Sequence, residues 1–149
     1  MDLNTKGRYA VMAMADLARF SVNDAVPLSV IADRQHLSLS YLEQLFLKLC
    51  RAGLVESARG RSGGYRLGQP AAAISVAAVM AAVEEDTRMT RCHGAAAGGC
   101  VDGERCLTHG LWEALGAEIE AFLSRVTLQD VLDGVPAAAA PPAHQLAAE

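Results

Sequence analysis

Between Arg91 and His109 the sequence reads RCHGAAAGGCVDGERCLTH. Three cysteines and two histidines stand there among glycines and alanines, in a stretch with almost nothing worth burying. Thiolates and a neutral imidazole are metal donors, and four of them close one four-coordinate site. The spacing runs Cys92, seven residues, Cys100, five residues, Cys106, two residues, His109. The short last gap puts Cys106 and His109 within one turn of a chain about to enter a helix. The candidate ligands are Cys92, Cys100, Cys106 and His109, with His93 as a substitute beside Cys92. Zinc, an iron–sulfur cluster and a metal-free redox thiol pair all compete for such a set. Zinc sites favour cysteines two residues apart, and no two of these thiols are so spaced. The open spacing suits a cluster, whose irons lie further apart, but spacing does not decide between the metals. Cys50 reads as a small core residue, and His36 and His144 as turn and tail residues.

The elements that must position these donors begin at the N-terminus. Thr5 to Phe20 has helical periodicity, with Val11, Met14, Ala15 and Ala18 on one face. NDAVP is a turn, Ser29 is placed to cap a short helix from Val30 to Gln35, and HLSLS breaks it. Ser40, with Glu43 three residues on, has the form of a capping box. It opens a helix with Leu42, Leu45, Phe46 and Leu49 apolar, and Gly53 lies just past its end, where a left-handed cap is wanted. LVESARGRSGGYRL then reads as strand, glycine-rich turn and strand. Two short helices across a tight turn, then a hairpin, predict a winged helix-turn-helix. Its second helix would offer Ser38, Ser40, Tyr41 and Gln44 to base edges, glutamine bonding bidentately to adenine. Glu43 stands in the same stretch and offers bases only an acceptor, useful to cytosine's amino group; its other reading is the cap alone. The hairpin tip carries Arg59, Arg61 and Arg66 around Gly60, Gly63 and Gly64. Arginine fits a narrow, electronegative minor groove, and glycine lets the turn approach closely.

Past the hairpin, Ser75 is expected to cap a helix from Val76 to Val83. A longer helix, Leu111 to Val126, carries the stripe Leu111, Trp112, Leu115, Ile119, Phe122, Leu123 and Val126. Glu113, Glu118, Glu120 and Arg125 form its solvated side. Thr127 starts a last short helix through Leu132, and GVPAAAAPPAHQLAAE is an Ala/Pro-rich stretch that reads as a disordered tail. The expected fold class is mainly α with a small β-hairpin wing. A stripe of that size in so small a chain needs a partner surface. A second copy across a two-fold axis would bury it and set two reading helices about one DNA turn apart.

At 149 residues the chain can build one core and needs no disulfide to fold. MDLNTKGRYA lacks the basic-then-apolar pattern of a signal peptide, and AAAISVAAVMAAV, at 13 residues, is too short to span a bilayer. The expectation is a cytoplasmic protein without membrane contact, its thiols kept reduced. The net charge of −4 is unevenly spread, +3 over residues 1–70 and −7 over residues 71–149, which points to a polyanion contact in front. No phosphate loop, nucleotide motif or nucleophile–base pair speaks for an enzyme.

The stretches KGRYAVMAM, SLSYLEQLF, GLVESARGRSGGYRLG and CLTHGLWEAL, with the cysteine segment, resemble a known family. They are similar to the iron–sulfur cluster regulators of a winged helix-turn-helix repressor family that also includes nitric oxide and iron sensors. The resemblance covers about residues 1–133. It implies a homodimer built on the long helix and a 2Fe–2S cluster held by Cys92, Cys100, Cys106 and His109. It also implies binding to double-stranded DNA, control of iron–sulfur assembly genes, and contact with assembly or carrier proteins. For Glu43 it implies a role in rejecting one class of operator when the cluster is absent. The gap between Cys92 and Cys100 is longer than usual in the resembled proteins, and some relatives hold 4Fe–4S, so that cluster stays as the second choice. The expected division is a DNA-binding domain over residues 1–83, a cluster-binding segment over 84–110, the dimerisation helix and short final helix over 111–133, and the tail over 134–149. A zinc-stabilised DNA-binding regulator and an iron–sulfur electron-transfer protein are the alternatives.

Overall fold

The first helix forms as expected: α1 spans Thr5–Phe20. In this computed structural model, residues 5–85, Cys100 and residues 104–134 are described. The most buried face of α1 is Ala10, Ala13, Met14 and Leu17, rotated from the expected one; Val11, Ala15 and Ala18 lie half-buried at its margins. The reason is that α1 is central. It meets α2 (Leu28–Gln35), α3 (Leu39–Arg51), α4 (Val76–Ala82) and α6 (Leu128–Asp133). Small alanines let those neighbours approach closely.

Two expected caps move. Ser29 does not cap α2: the helix starts at Leu28 behind Pro27, whose φ of −61° is already helical. The helix stops at His36, in the left-handed region at φ 53°. Nor do Ser40 and Glu43 form a capping box. Ser38 is the N-cap, its Oγ accepting the Tyr41 N–H at 3.5 Å, and Glu43 is the fifth residue of α3. The helix takes the earlier serine because Ser38 is the one with extended backbone at the turn's exit (ψ 126°). The apolar face of α3 is as read: Leu42, Leu45, Phe46 and Leu49 are all buried. At its other end Gly53, at φ 72°, lets the Leu54 N–H reach Leu49 O at 3.0 Å, which closes the helix.

The wing is β1 (Val55–Ala58) paired antiparallel with β2 (Gly64–Leu67), with Val55 opposite Leu67 and Ala58 opposite Gly64. The turn before α2 adds a third pairing: Val26 and Tyr65 exchange two backbone hydrogen bonds of 2.8 Å. After a short 3₁₀ turn at Ala71–Ala73, Ser75 caps α4, accepting the Ala78 N–H at 3.1 Å. α5 spans His109–Arg125, starting two residues before the expected Leu111. The chain then pairs with the segment ahead of α4: Val76 N–H donates to Val126 O at 2.8 Å and Leu128 N–H to Ile74 O at 2.9 Å. Thr127 and Asp130 close a capping box at α6, which holds the Asp130 carboxyl below its ordinary range.

One core joins these elements, with Phe46, Met14, Leu17, Ile31, Leu42, Leu49, Ile74 and Leu128 fully buried. Cys50 packs at its edge, and burial pushes its thiol pKa up. Among the described residues, the C-terminal end of α5 packs on the body through Leu123 and Val126 against Val76 and Met80. Of the rest of its stripe, Leu111, Trp112, Leu115 and Phe122 are exposed in the single chain and Ile119 is half-buried. No helix among the described residues is long and apolar enough to cross a membrane.

Candidate functional site

The reading head presents a defined surface. Ser38, Ser40, Glu43 and Gln44 are exposed at the N-terminal half of α3, on the side opposite its buried leucines. Ser38 spends its hydroxyl on the cap and lies 3.1 Å from Ser40 Oγ, so it shapes the helix start as much as it faces outward. Tyr41 is half-buried, its ring edge-on to Tyr9 at 6.2 Å between centroids. Arg59 and Arg61 are exposed in the turn between β1 and β2. Arg66 is not at the tip as expected: it sits mid-strand opposite Glu56. The wing is held at a fixed attitude to α3 by the Phe46–Tyr65 ring contact, 5.0 Å between centroids and 69° between planes.

An ion pair with one buried partner joins α1 to α2. Asp16, fully buried on α1, accepts from Arg34 at Nε (3.0 Å) and Nη2, and from Gln35 Nε2 at 2.8 Å. Phe20 lies under the Arg34 guanidinium, 4.1 Å from ring centroid to Cζ. Asp16 raises the Arg34 pKa, by hydrogen bond first and by charge second. Sequence reading missed this group. The available signal was an aspartate between Met14 and Leu17 on an apolar face, which is costly to bury unless paired.

At the other end of the chain, α5 opens on the cysteine–histidine segment. His109 is the first residue of α5 and is buried at 7 % exposure, while Leu107, Thr108 and Gly110 beside it are exposed. Its Nδ1 lies 3.1 Å from Cys100 Sγ. Its backbone N–H donates to Cys106 O at 3.0 Å, which folds Cys106 and His109 into one turn. Cys106 Sγ lies 3.6 Å from Thr108 Oγ1, and the Cys100 N–H donates to Glu104 O at 2.8 Å. On the far side of the imidazole, Nε2 is 3.8 Å from Glu113 Oε2. Cys92 and His93 lie outside the described residues. Among the described residues no three ligating side chains stand together as a metal site. Two of the four expected donors are in contact and a third is bonded through its backbone.

Residues 3–134 match the Rrf2 domain of iron-dependent transcriptional regulators. The chain belongs to the Rrf2 family. Over 132 residues it is 54 % identical to the HTH-type transcriptional regulator IscR of Vibrio atlanticus, covering 89 % of this chain and 75 % of that one. Among solved structures it is similar to T. potens IscR, with TM-score 0.73 and 37 % identity over 89 % of this chain and 87 % of that one. It is also similar to CymR, the global cysteine regulator of B. subtilis, with TM-score 0.76 and 31 % identity over 89 % and 97 % of the two chains. This Rrf2 chain is a DNA-binding transcriptional regulator, and its relatives are regulators, not enzymes. The winged helix read from the order of its elements is the fold these Rrf2 structures share.

Proposed function

We propose that this Rrf2 regulator senses iron–sulfur status through a 2Fe–2S cluster held by Cys92, Cys100, Cys106 and His109, and controls iron–sulfur assembly genes as a homodimer on double-stranded DNA. The observation that carries the reading is the Cys100 Sγ to His109 Nδ1 contact of 3.1 Å at the start of α5. A thiol and an imidazole converge where helix N–H groups point outward, the end of a helix that favours negative charge. Cys106, bonded to the same histidine, brings a second sulfur into that turn. This donor chemistry fits a cluster. When bound, the cluster supplies a redox- and iron-sensitive crosslink, and histidine is its neutral, protonatable ligand.

The chain's own residues do the rest. Gln44 and Ser40 read bases, Glu43 discriminates between operator classes, and Arg59 and Arg61 meet phosphates and the minor groove. The exposed stripe of α5 is covered by the same stripe of a second copy, which puts two reading helices on one face of the DNA. The likeness to the IscR transcriptional regulators and to the iron-dependent regulators of the Rrf2 family supports this reading, and cluster delivery makes assembly or carrier proteins its expected partners.

The test is anaerobic purification, an ultraviolet–visible spectrum and iron and sulfide analysis. The expected protein is coloured, with about two irons and two sulfides per chain; about four of each would assign 4Fe–4S. Single alanine variants of Cys92, Cys100 and Cys106 should lose the colour, and His109→Ala should weaken or shift it. A colourless protein carrying zinc, or colour that survives Cys100→Ala and disappears in Cys50→Ala, would overturn the assignment.

A further inference from the structure

The chain leaves α4 through two consecutive glutamates. Glu84 N–H donates to Ala81 O and Glu85 N–H to Met80 O, both at 3.0 Å, the paired bonds of a helix C-terminal cap. Such a cap needs a left-handed residue, and Glu84 fills the position at φ 60°. Glycine or asparagine is the ordinary occupant, because a Cβ is disfavoured there. What glutamate adds is a carboxylate, and that carboxylate pairs with Lys48 Nζ on α3. Lys48, with Lys6 as a lesser contributor, holds the Glu84 carboxyl below its ordinary range.

The same two residues are also bonded to α1. Lys6 Nζ donates to Glu84 O at 2.8 Å, and Glu85 Oε2 accepts the Gly7 N–H at 2.9 Å. A Cβ at Gly7 would stand 2.8 Å from Glu85 Cγ, so the glycine keeps that contact open. Residues 84–85 are therefore joined at once to the start of α1 and to α3. Lys48 is four residues beyond Gln44, which is four beyond Ser40, so the three line one stripe of the reading helix. Seven residues separate Glu84 from Cys92 in the sequence.

We propose that Glu84 is a positioning residue that couples the cysteine segment to the reading helix through Lys48. This rests on the cluster-dependent reading above. Tying Cys92 into a cluster constrains the chain that follows Glu85, and the Glu84–Lys48 pair passes that constraint to the stripe carrying Gln44 and Ser40. Glu84 is largely exposed, and exposed pairs add little to stability. Its effect belongs in the coupling, not in the folding free energy.

The readout is the ratio of operator affinities, cluster-loaded over cluster-free, for the full protein at one fixed salt concentration. It is compared for wild type, Glu84→Gln, Glu84→Gly, Lys48→Gln and the swapped pair Glu84→Lys with Lys48→Glu. Glu84→Gly keeps the left-handed cap and removes only the carboxylate. Iron and sulfide content and the thermal midpoint are measured alongside. The ratio should move toward one by about two- to fivefold in each single variant, the change an exposed pair can carry. Combining Glu84→Gln with Lys48→Gln should add nothing further, and the swapped pair should restore the ratio. A direct phosphate contact by Lys48 would lower both affinities together and leave the ratio alone. A wild-type ratio above one that persists in Glu84→Gln and Glu84→Gly at equal cluster content overturns the coupling. A wild-type ratio of one overturns the cluster-dependent reading itself, and the coupling with it.

Discussion

Gly64 shows how tightly one residue can be specified. It pairs with Ala58 in the wing, and a Cβ there would stand 2.4 Å from Val26 C and O, where the turn before α2 joins the hairpin. That contact is backbone, with no flexible side chain to yield. Gly64→Ala must push Val26 away from Tyr65 and break the two hydrogen bonds between them. The expected cost is about 1–3 kcal/mol of stability, the range for overpacking a close contact, seen as a lower denaturant midpoint. Because Tyr65 also packs on Phe46 of α3, DNA affinity should fall with it, while cluster content stays the same. A variant with wild-type midpoint and affinity would show that the wing does not need the third pairing. Asp16 is specified in the opposite way, by what it touches: a fully buried carboxylate is tolerable only because Arg34 and Gln35 saturate it.

Among the elements, α5 is the one the single chain does not satisfy. Its last turn is packed against α4, while Leu111, Trp112, Leu115 and Phe122 face solvent. Apolar side chains repeated along one helix in this way mark a contact surface. Leu115→Asp tests the proposed dimer cleanly, because Leu115 is exposed and its replacement leaves the core of the chain intact. Sedimentation should show a dimer for wild type, with and without cluster, and a monomer for Leu115→Asp, since a dimer would have to bury an unpaired charge. Far-ultraviolet circular dichroism should be unchanged. A stable dimer in the variant would move the interface elsewhere. α3 buries Leu42, Leu45, Phe46 and Leu49 inward and turns Ser40, Glu43, Gln44 and Lys48, with Leu39 and Leu47, outward.

At the scale of the whole molecule, a net charge of −4 sits on a DNA-binding protein. The basic excess lies in residues 1–70, where the reading helix and wing are, and the acidic excess lies behind them. Binding should therefore depend steeply on salt despite the acidic total. Arg59→Ala should reduce the slope of log affinity against log salt by about one and weaken all sequences alike. Gln44→Ala should leave the slope alone and cost about 1–3 kcal/mol at one base pair. A fluorescence anisotropy titration over a salt series, with an operator and its point variants, separates the two. If both variants bind as wild type does, this face does not dock on DNA.

Local signals were enough for most of the fold. The period of apolar residues determined α1 and the buried face of α3. Serine and threonine caps determined the starts of α4 and α6, and glycine at the left-handed position determined the end of α3. The candidate donors Cys100, Cys106 and His109 stand out in the sequence because few other roles suit cysteine and histidine among glycines and alanines. What local signals could not decide was choice among equivalents and contact across distance. Ser38 and Ser40 are both good caps, and the exit geometry of the turn selected Ser38. Ser29 lost its cap to Pro27 because the chain reaches α2 already bonded to the wing at Val26. The pairing of Asp16 with Arg34 and Gln35, and of Glu84 with Lys48, depends on helices meeting that are far apart in sequence. Helical periodicity is a property of neighbours three and four residues apart, so it is written locally. An ion pair between helices depends on how a common core packs them together, and only the assembled tertiary structure decides it.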